Sequence, residues 1–143
     1  MSDIERVKRL VAYCKKLCGT TDPFEIADHL GVLYQIGNCE HDGCYIYLKK
    51  HRYIFLSNKL DETGLRLVMA HELGHALLDM KINSYFIRNK TLLLNSKLER
   101  RANLYAAHLL ITDDLIQDFE DFSIEQFSDC TGYPEELIKL RLN

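Results

Sequence analysis

The spacing of apolar residues predicts two amphipathic helices at the beginning of the chain. From residue 4 to residue 18, apolar side chains recur at helical spacing and fall on one helix face. These residues are Ile4, Val7, Leu10, Val11, Cys14 and Leu17. Gly19 is expected to end this helix, because glycine is favoured at a helix C-terminus. Asp22 as the cap and Pro23 in the first turn are expected to begin the second helix, which closes at Leu30 and Gly31.

Three short runs rich in β-branched and aromatic residues follow, at 32–36, 45–49 and 53–57. Runs of this kind predict strands, and the last two are separated by a short polar turn. The basic residues in that turn, Lys49 to Arg52, are interpreted as solvated side chains rather than as a nucleic-acid-binding patch.

The second half of the chain is predicted to be mostly helical. Residues 61–80 are apolar on nearly every side, which is typical of a buried helix. Residues 98–110 carry one apolar stripe, formed by Leu98, Ala102, Tyr105 and Leu109. Short helices are expected to start at Thr112 or Asp113, at Ser123, and at Tyr133 and Pro134. Residues 81–95 are less regular and could shape a cleft. The pattern predicts an α+β domain, mainly helical, with a short three-stranded antiparallel or mixed sheet.

Length, composition and charge limit the classes of protein to which this chain can belong. With 143 residues, 47% of them hydrophobic, the chain is expected to form one domain over 1–143. The net charge of −3 argues against direct nucleic-acid binding. No apolar run approaches the roughly 20 residues of a membrane span, and the N-terminus lacks a signal-peptide core. Five cysteines without a signal peptide suggest reduced thiols and a cytoplasmic location.

The strongest functional signal is the HExxH motif His71-Glu72-Leu73-Gly74-His75, which lies in the predicted buried helix. Residues four apart lie on one helix face, so the two imidazoles can bind one tetrahedral zinc ion. Glu72 lies about 100° round the helix, where it can act as catalytic base without binding the metal. The alternatives are a chance match and two core histidines satisfied by hydrogen bonds.

Catalytic zinc sites commonly combine two histidines with one glutamate, and Glu99 is the best candidate for that third ligand. It begins a stripe beside the apolar one, followed by Asn103, Ala106 and Leu110. Asn103 could hydrogen-bond a ligand imidazole, and the small Ala106 would let two helices approach. Alternatively, Glu99 is an exposed helix-start glutamate favoured by the helix dipole. Asp79, one turn beyond His75, is the next candidate ligand.

These residues give the chain a resemblance to the ImmA/IrrE metallopeptidases. It rests on the apolar run into the HELGH motif and on the block from Glu99 to Leu110, with weaker support from the strands and the last helix. The resemblance implies a small zincin-like domain that cleaves or inactivates a helix-turn-helix repressor of a phage, mobile element or stress response. Three positions depart from the family pattern, and they leave the substrate contacts open: Asp79, His108 and Thr112.

Several details stay open at this level. A non-proteolytic, zinc-containing anti-repressor that only binds its target fits the sequence as well as a peptidase does. A structural zinc domain does not explain Glu72, because such a site needs no base.

A substrate could add as a strand to 45–48 or 53–57. Tyr47, Tyr85 and Tyr105 are candidates to stabilise an oxyanion, and Tyr105 is disfavoured by its apolar stripe. Cys39-x-His41-x-x-Cys44 lacks a usual zinc spacing and is not expected to bind metal.

Overall fold

The computed structural model describes residues 1–82, the backbone of 84–86, and residues 96–143. The elements along the chain are α1 (Asp3–Cys18), α2 (Pro23–Leu30), β1 (Leu33–Gly37), β2 (Gly43–Leu48), β3 (His51–Ser57), α3 (Glu62–Leu78), β4 (Ser84–Phe86), α4 (Lys97–Leu110), α5 (Asp113–Asp118), α6 (Ile124–Thr131) and α7 (Glu135–Leu142). This confirms the predicted mainly helical α+β class. Much of the segment 81–95, the candidate for shaping a cleft, lies outside the described residues.

The ends of the first two helices follow local rules. The side chain of Asp22 accepts a hydrogen bond from the backbone of Phe24, and Pro23 occupies the first turn of α2. Both helices end at glycines in the left-handed region, with φ of 69° at Gly19 and 72° at Gly31. Both boundaries therefore come from short-range chemistry that the sequence displays directly.

The sheet is mixed, with strand order β1-β3-β2-β4. β1 runs parallel to β3, while β2 is antiparallel to both β3 and β4. The three predicted strands are therefore present, and the short β4 adds a fourth that the sequence pattern does not predict. β3 lies inside the sheet with both edges hydrogen-bonded. The idea that a substrate strand adds to β3 is therefore wrong. β2 is also paired on both edges over Gly43–Tyr45, so addition to β2 stays a prediction only for Ile46–Leu48, whose second edge pairs with none of the described residues.

The buried helix α3 lies between the sheet and the other helices. It packs against β2 and β3 on one side and most extensively against α4 on another. Two glycines permit these close approaches. A Cβ atom at Gly43 of β2 would lie 2.5 Å from Cγ1 of Val68, and one at Gly74 would lie 3.1 Å from the Cα atom of Ala102. Hence α3 is enclosed on nearly every side, as its sequence predicts.

The last helix packs against α4, and α6 packs against that last helix. α7 contacts α4, and the Arg141 side chain donates a hydrogen bond to the carbonyl oxygen of Ile111 at 2.6 Å. A second Arg141 nitrogen contacts the Asp113 carboxylate at 2.6 Å. None of the described helices combines the length and apolar character needed to cross a lipid bilayer.

We predict that Gly74→Ala destabilises the fold. The added methyl group would meet the backbone of Ala102 and the Cβ atom of Tyr105 at 3.1–3.2 Å, so α4 would have to move. Overpacking costs about 1–3 kcal/mol, and the higher helix propensity of alanine offsets up to about 1 kcal/mol. Urea unfolding followed by circular dichroism should show a net loss of about 1 kcal/mol.

Gly37→Ala is the matched control, because a Cβ atom there meets nothing within 4 Å and its φ is not positive. It should change the free energy of unfolding by less than about 0.5 kcal/mol. An unfolding midpoint for Gly74→Ala at or above the wild-type value would show that the two helices separate without cost.

Candidate metal centre

Helix α3 brings His71 and His75 together on the side that faces α4. The two residues are one helical turn apart, and their ring centroids lie 4.8 Å from each other with nearly perpendicular planes. Both side chains are completely buried. Two imidazoles without access to water need polar partners within the protein.

Glu99 supplies a partner for both histidines. Its carboxylate oxygens lie 2.9 Å from Nε2 of His71 and 3.1 Å from Nε2 of His75, and its side chain is only 13% exposed. Ser96 caps α4, since the backbone N–H of Glu99 donates to the Ser96 hydroxyl at 3.2 Å. Glu99 thus stands in the first turn of the helix, but it points into the interior rather than into solvent.

The pKa values of the group suit a metal site. Burial lowers the pKa of His71, although its hydrogen bond to Glu99 opposes that shift. Burial also raises the pKa of the Glu99 carboxyl, but the hydrogen bond to His71 and the close contact with His75 outweigh this and hold it at about 2. A neutral imidazole can donate the hydrogen bond from Nε2, so His71 need not be charged. The result is a neutral imidazole beside an ionised carboxylate, the forms that bind metals.

The arrangement can hold a metal ion. One ligand atom from each of His71, His75 and Glu99 lies within 4.8 Å of the other two. If the metal is zinc, with bonds of about 2.0–2.2 Å, ligand atoms lie roughly 3.3–3.6 Å apart. The observed carboxylate–imidazole distances of 2.9 and 3.1 Å are about 0.2–0.7 Å shorter than that spacing. Nε2 of His75 is buried without a well-formed hydrogen bond among the described residues, and a metal would give it a partner.

Two further predicted residues lie beside this group. Glu72, between the two histidines in sequence, is fully buried. It contributes, after burial and Cys39, to raising the pKa of Cys44 to about 11, so its carboxylate is close enough to β2 to act there electrostatically. Asn103, one turn beyond Glu99, is 1% exposed, and its side chain is close enough to His71 to oppose part of the lowering of that histidine's pKa. The roles of Glu72 and Asn103 stay predictions.

Other candidates lie away from this group or outside the described residues. Tyr105 is buried and its hydroxyl donates to the sulfur of Cys14 at 3.4 Å, so it is part of the hydrophobic core. Tyr47 is half-buried on β2, and the side chain of Tyr85 lies outside the described residues. Within the described part of the chain, the Cys39-x-His41-x-x-Cys44 segment does not form a three-ligand group. All five cysteines are described and are free thiols.

One pair of residues next to the site was not predicted from the sequence. Asp79 does not belong to the ligand group, because its carboxylate pairs with Arg101 at 2.5 Å. Arg101 is 8% exposed, although it belongs to neither stripe of α4 and its burial was not expected. The sequence did contain a signal for this pairing. An acid follows His75 by one helical turn, and an arginine, its opposite charge, follows Glu99 by two residues.

Comparison with known proteins agrees with this geometry. The profile of the family described as the IrrE N-terminal-like domain, Peptidase_M78, matches residues 23–143. The chain is 32% identical over 143 residues to Metallopeptidase ImmA of Bacillus subtilis (strain 168), covering 96% of this chain and 84% of the relative. It is 31% identical over 139 residues to uncharacterized immunity region protein 2 of Bacillus phage phi105, covering 94% and 85%.

We predict that the wild-type protein binds one zinc ion per chain, that His75→Ala abolishes this binding and that Glu99→Ala weakens it. The reason is that each change removes one of three converging ligand atoms. Elemental analysis after loading and dialysis measures the metal content. Removal of zinc by a chelator should also lower the unfolding temperature, because metal binding is coupled to folding.

His108→Ala is the control, because this half-buried histidine lies on the same helix as Glu99 but outside the ligand group. Its zinc content should equal that of the wild type. Equal zinc in the wild type and in His75→Ala would contradict the ligand assignment.

Proposed function

Because the chain belongs to the Peptidase_M78 family of IrrE N-terminal-like domains, we propose that it is a zinc endopeptidase acting on a regulatory protein. The observation that carries the proposal is the buried group of His71, His75 and Glu99 on two facing helices, with Glu72 beside it. Three protein ligands leave one position of a tetrahedral ion open, which distinguishes a catalytic site from a structural one.

In this proposal His71, His75 and Glu99 hold the zinc. When bound, the zinc supplies a water molecule of lowered pKa and polarises the scissile carbonyl group. Asn103 would fix the ring orientation of His71 by hydrogen-bonding one ring nitrogen, which would keep the lone pair of the other nitrogen directed at the site. Burial keeps His71 neutral and therefore able to bind.

Glu72 is the proposed catalytic base. Its carboxylate accepts a proton from the attacking water and delivers it to the nitrogen of the leaving amine, so one group serves both steps. Full burial excludes bulk water from the carboxylate and strengthens its electrostatic effect on the reacting atoms. Glu72 acts electrostatically on Cys44 of β2. Since β2 is paired on both edges at Cys44, an extended substrate would have to lie alongside Ile46–Leu48 of the same strand.

We further propose that the substrate is a helix-turn-helix repressor of a phage or mobile element, and that the reaction takes place in the cytoplasm. The 31% identical relative is an immunity region protein of a phage, which supports this class of substrate. Selectivity would come from a docking surface on the folded partner, because a chain of 143 residues has little area for a deep cleft of its own. The helical tail from Ser123 onward could contribute to that surface.

We predict that Glu72→Gln retains zinc and fold but loses at least about 100-fold in turnover. The amide has almost the same shape as the carboxylate but cannot accept the proton, and general-base catalysis typically contributes about 10²–10⁴-fold. Zinc content, circular dichroism and cleavage rate are measured on the same preparation. Cleavage at a near wild-type rate with zinc retained would exclude Glu72 as the base.

We predict one selective cut in a helix-turn-helix repressor, to be sought first among the genes beside this one, and little digestion of casein. A regulatory peptidase must discriminate against ordinary proteins, so its rate on an unstructured generic substrate should be low. The zinc-loaded protein is incubated with each substrate, and the products are measured by intact-mass spectrometry. Glu72→Gln is the control and should leave the repressor intact.

The same experiment separates the two modes of action. Release of operator DNA with the repressor intact, and to the same extent with Glu72→Gln, would favour a non-proteolytic anti-repressor over the peptidase. Efficient digestion of casein would contradict the proposal of a selective regulatory enzyme.

A further inference from the structure

A buried ion pair joins the two helices that carry the proposed metal ligands. The guanidinium of Arg101 meets the carboxylate of Asp79 in a two-pronged contact, with Nε donating to Oδ2 at 3.3 Å and Nη2 to Oδ1 at 2.5 Å. The two side chains are 9% and 11% exposed. An ion pair with this geometry and burial is screened little by salt and holds a defined orientation. We refer to it as the Asp79–Arg101 clamp.

Each member of the clamp is close to a proposed ligand in sequence. Asp79 caps the C-terminus of α3, and its backbone N–H donates to the carbonyl oxygen of His75 at 2.8 Å. Arg101 lies two residues beyond Glu99, at the start of α4. The clamp therefore connects the turn that carries His75 to the turn that carries Glu99.

Other contacts secure the same end of α3. The Arg6 side chain of α1 donates to the carbonyl oxygen of Leu78 at 3.3 Å, and the Tyr45 hydroxyl of β2 donates to that of Met80. Asp3 of α1 lies 3.8 Å from Nη1 of Arg101. These three contacts tie α1 and β2 to their neighbours, whereas the clamp joins the end of α3 directly to the beginning of α4. The clamp can therefore set the position of Glu99 relative to the histidines.

Glu99 needs such a constraint because it occupies the first turn of its helix, where backbone hydrogen bonding is incomplete and ends fray. A ligand set is effective only when its atoms are held within about 0.5 Å of the required positions. The oxygens of Glu99 lie 2.9 and 3.1 Å from nitrogens on the other helix. A small slide of α4 along α3 would change both distances.

We propose that Asp79 and Arg101 are positioning residues of the metal centre, which hold the Glu99 turn against the His75 turn so that the three ligand atoms converge before metal binds. This inference rests on the proposed zinc site. In this inference Asp79 acts by pairing with Arg101 and does not bind the metal itself. The side chains touch neither the metal nor the substrate in this role, so their effect is on metal affinity and on the geometry that follows from it.

The test compares zinc affinity, by competition with a chromogenic chelator, in the wild type and in Asp79→Asn, Arg101→Gln and Arg101→Lys. We expect Asp79→Asn and Arg101→Gln each to weaken zinc binding about 10- to 100-fold, the range typical when a group that orients a ligand is removed. Arg101→Lys keeps the charge but loses the two-pronged contact, so a smaller loss is expected. The double variant of Asp79→Asn with Arg101→Gln should lose no more than the larger single loss, because both changes break one interaction.

Arg141→Gln is the matched control for general destabilisation. Arg141 also pairs with an aspartate, Asp113, and hydrogen-bonds the residue that follows α4, but it does so at the end of the helix remote from Glu99. Its loss should lower the free energy of unfolding and leave zinc affinity unchanged. Urea unfolding of every apo variant is measured alongside, at a temperature where all are folded.

A spectrum of the cobalt-substituted protein distinguishes positioning from ligation. At saturating cobalt, the visible absorption of Asp79→Asn should match that of the wild type, because the ligand set is the same. Unchanged zinc affinity in the clamp variants, despite a lower free energy of unfolding, would overturn the proposal and leave the pair a structural one.

Tighter or unchanged zinc binding in Arg101→Gln, with an altered cobalt spectrum in Asp79→Asn, would also overturn it and make Asp79 a ligand. A wild-type protein that binds no zinc would overturn the proposed function itself, and that first measurement separates the two failures.

Discussion

The side chains of His71, His75 and Glu99 meet at the contact between α3 and α4, and Glu72 is buried next to His71 in the sequence. The burial of these four ionisable side chains is the constraint on which the arrangement of the core depends. His71, Glu72 and His75 are fully buried, and Glu99 is nearly so. Transferring such groups out of water is unfavourable unless each finds a partner. The imidazole nitrogens and the Glu99 carboxylate face one another at hydrogen-bonding distance, and a metal ion of matching geometry would satisfy them further.

This constraint requires the two helices to lie close together. At their crossing the residues are small, with Gly74 on α3 and Ala102 and Ala106 on α4, and each of the alanines is completely buried. Larger side chains there would separate the helices and move Glu99 away from the histidines. The requirement for small residues is thus a consequence of the site, and it couples the packing of the core to the chemistry that the site can perform.

Charged side chains elsewhere in the molecule also hold α3 and α4 in place. The acid and the arginine at the ends of α3 and α4 form a pair that is shielded from water on nearly all sides, while Arg141 ties the last helix to the far end of α4. One end of α4 therefore carries the proposed ligand and its neighbour Arg101, and the other end anchors the C-terminal helices. Changes in either place alter stability, but only those near Glu99 are positioned to alter metal binding.

The sequence by itself determined the local elements and the chemistry of the candidate site. Capping residues such as Asp22 and helix-terminating glycines such as Gly19 act within a few residues, so the helix boundaries could be predicted from them. The spacing of His71 and His75 likewise fixes their common face within one helix.

Only the tertiary structure decided which distant residues meet. It placed β1 parallel to β3, so that β3 became a central strand, and it added β4 from a segment without a strand pattern. It also brought Asp79 to Arg101 and turned Glu99 inward, although its sequence context left an exposed position at a helix start as an alternative. These outcomes depend on long-range packing and on the pairing of buried charges, which local spacing in the chain does not determine.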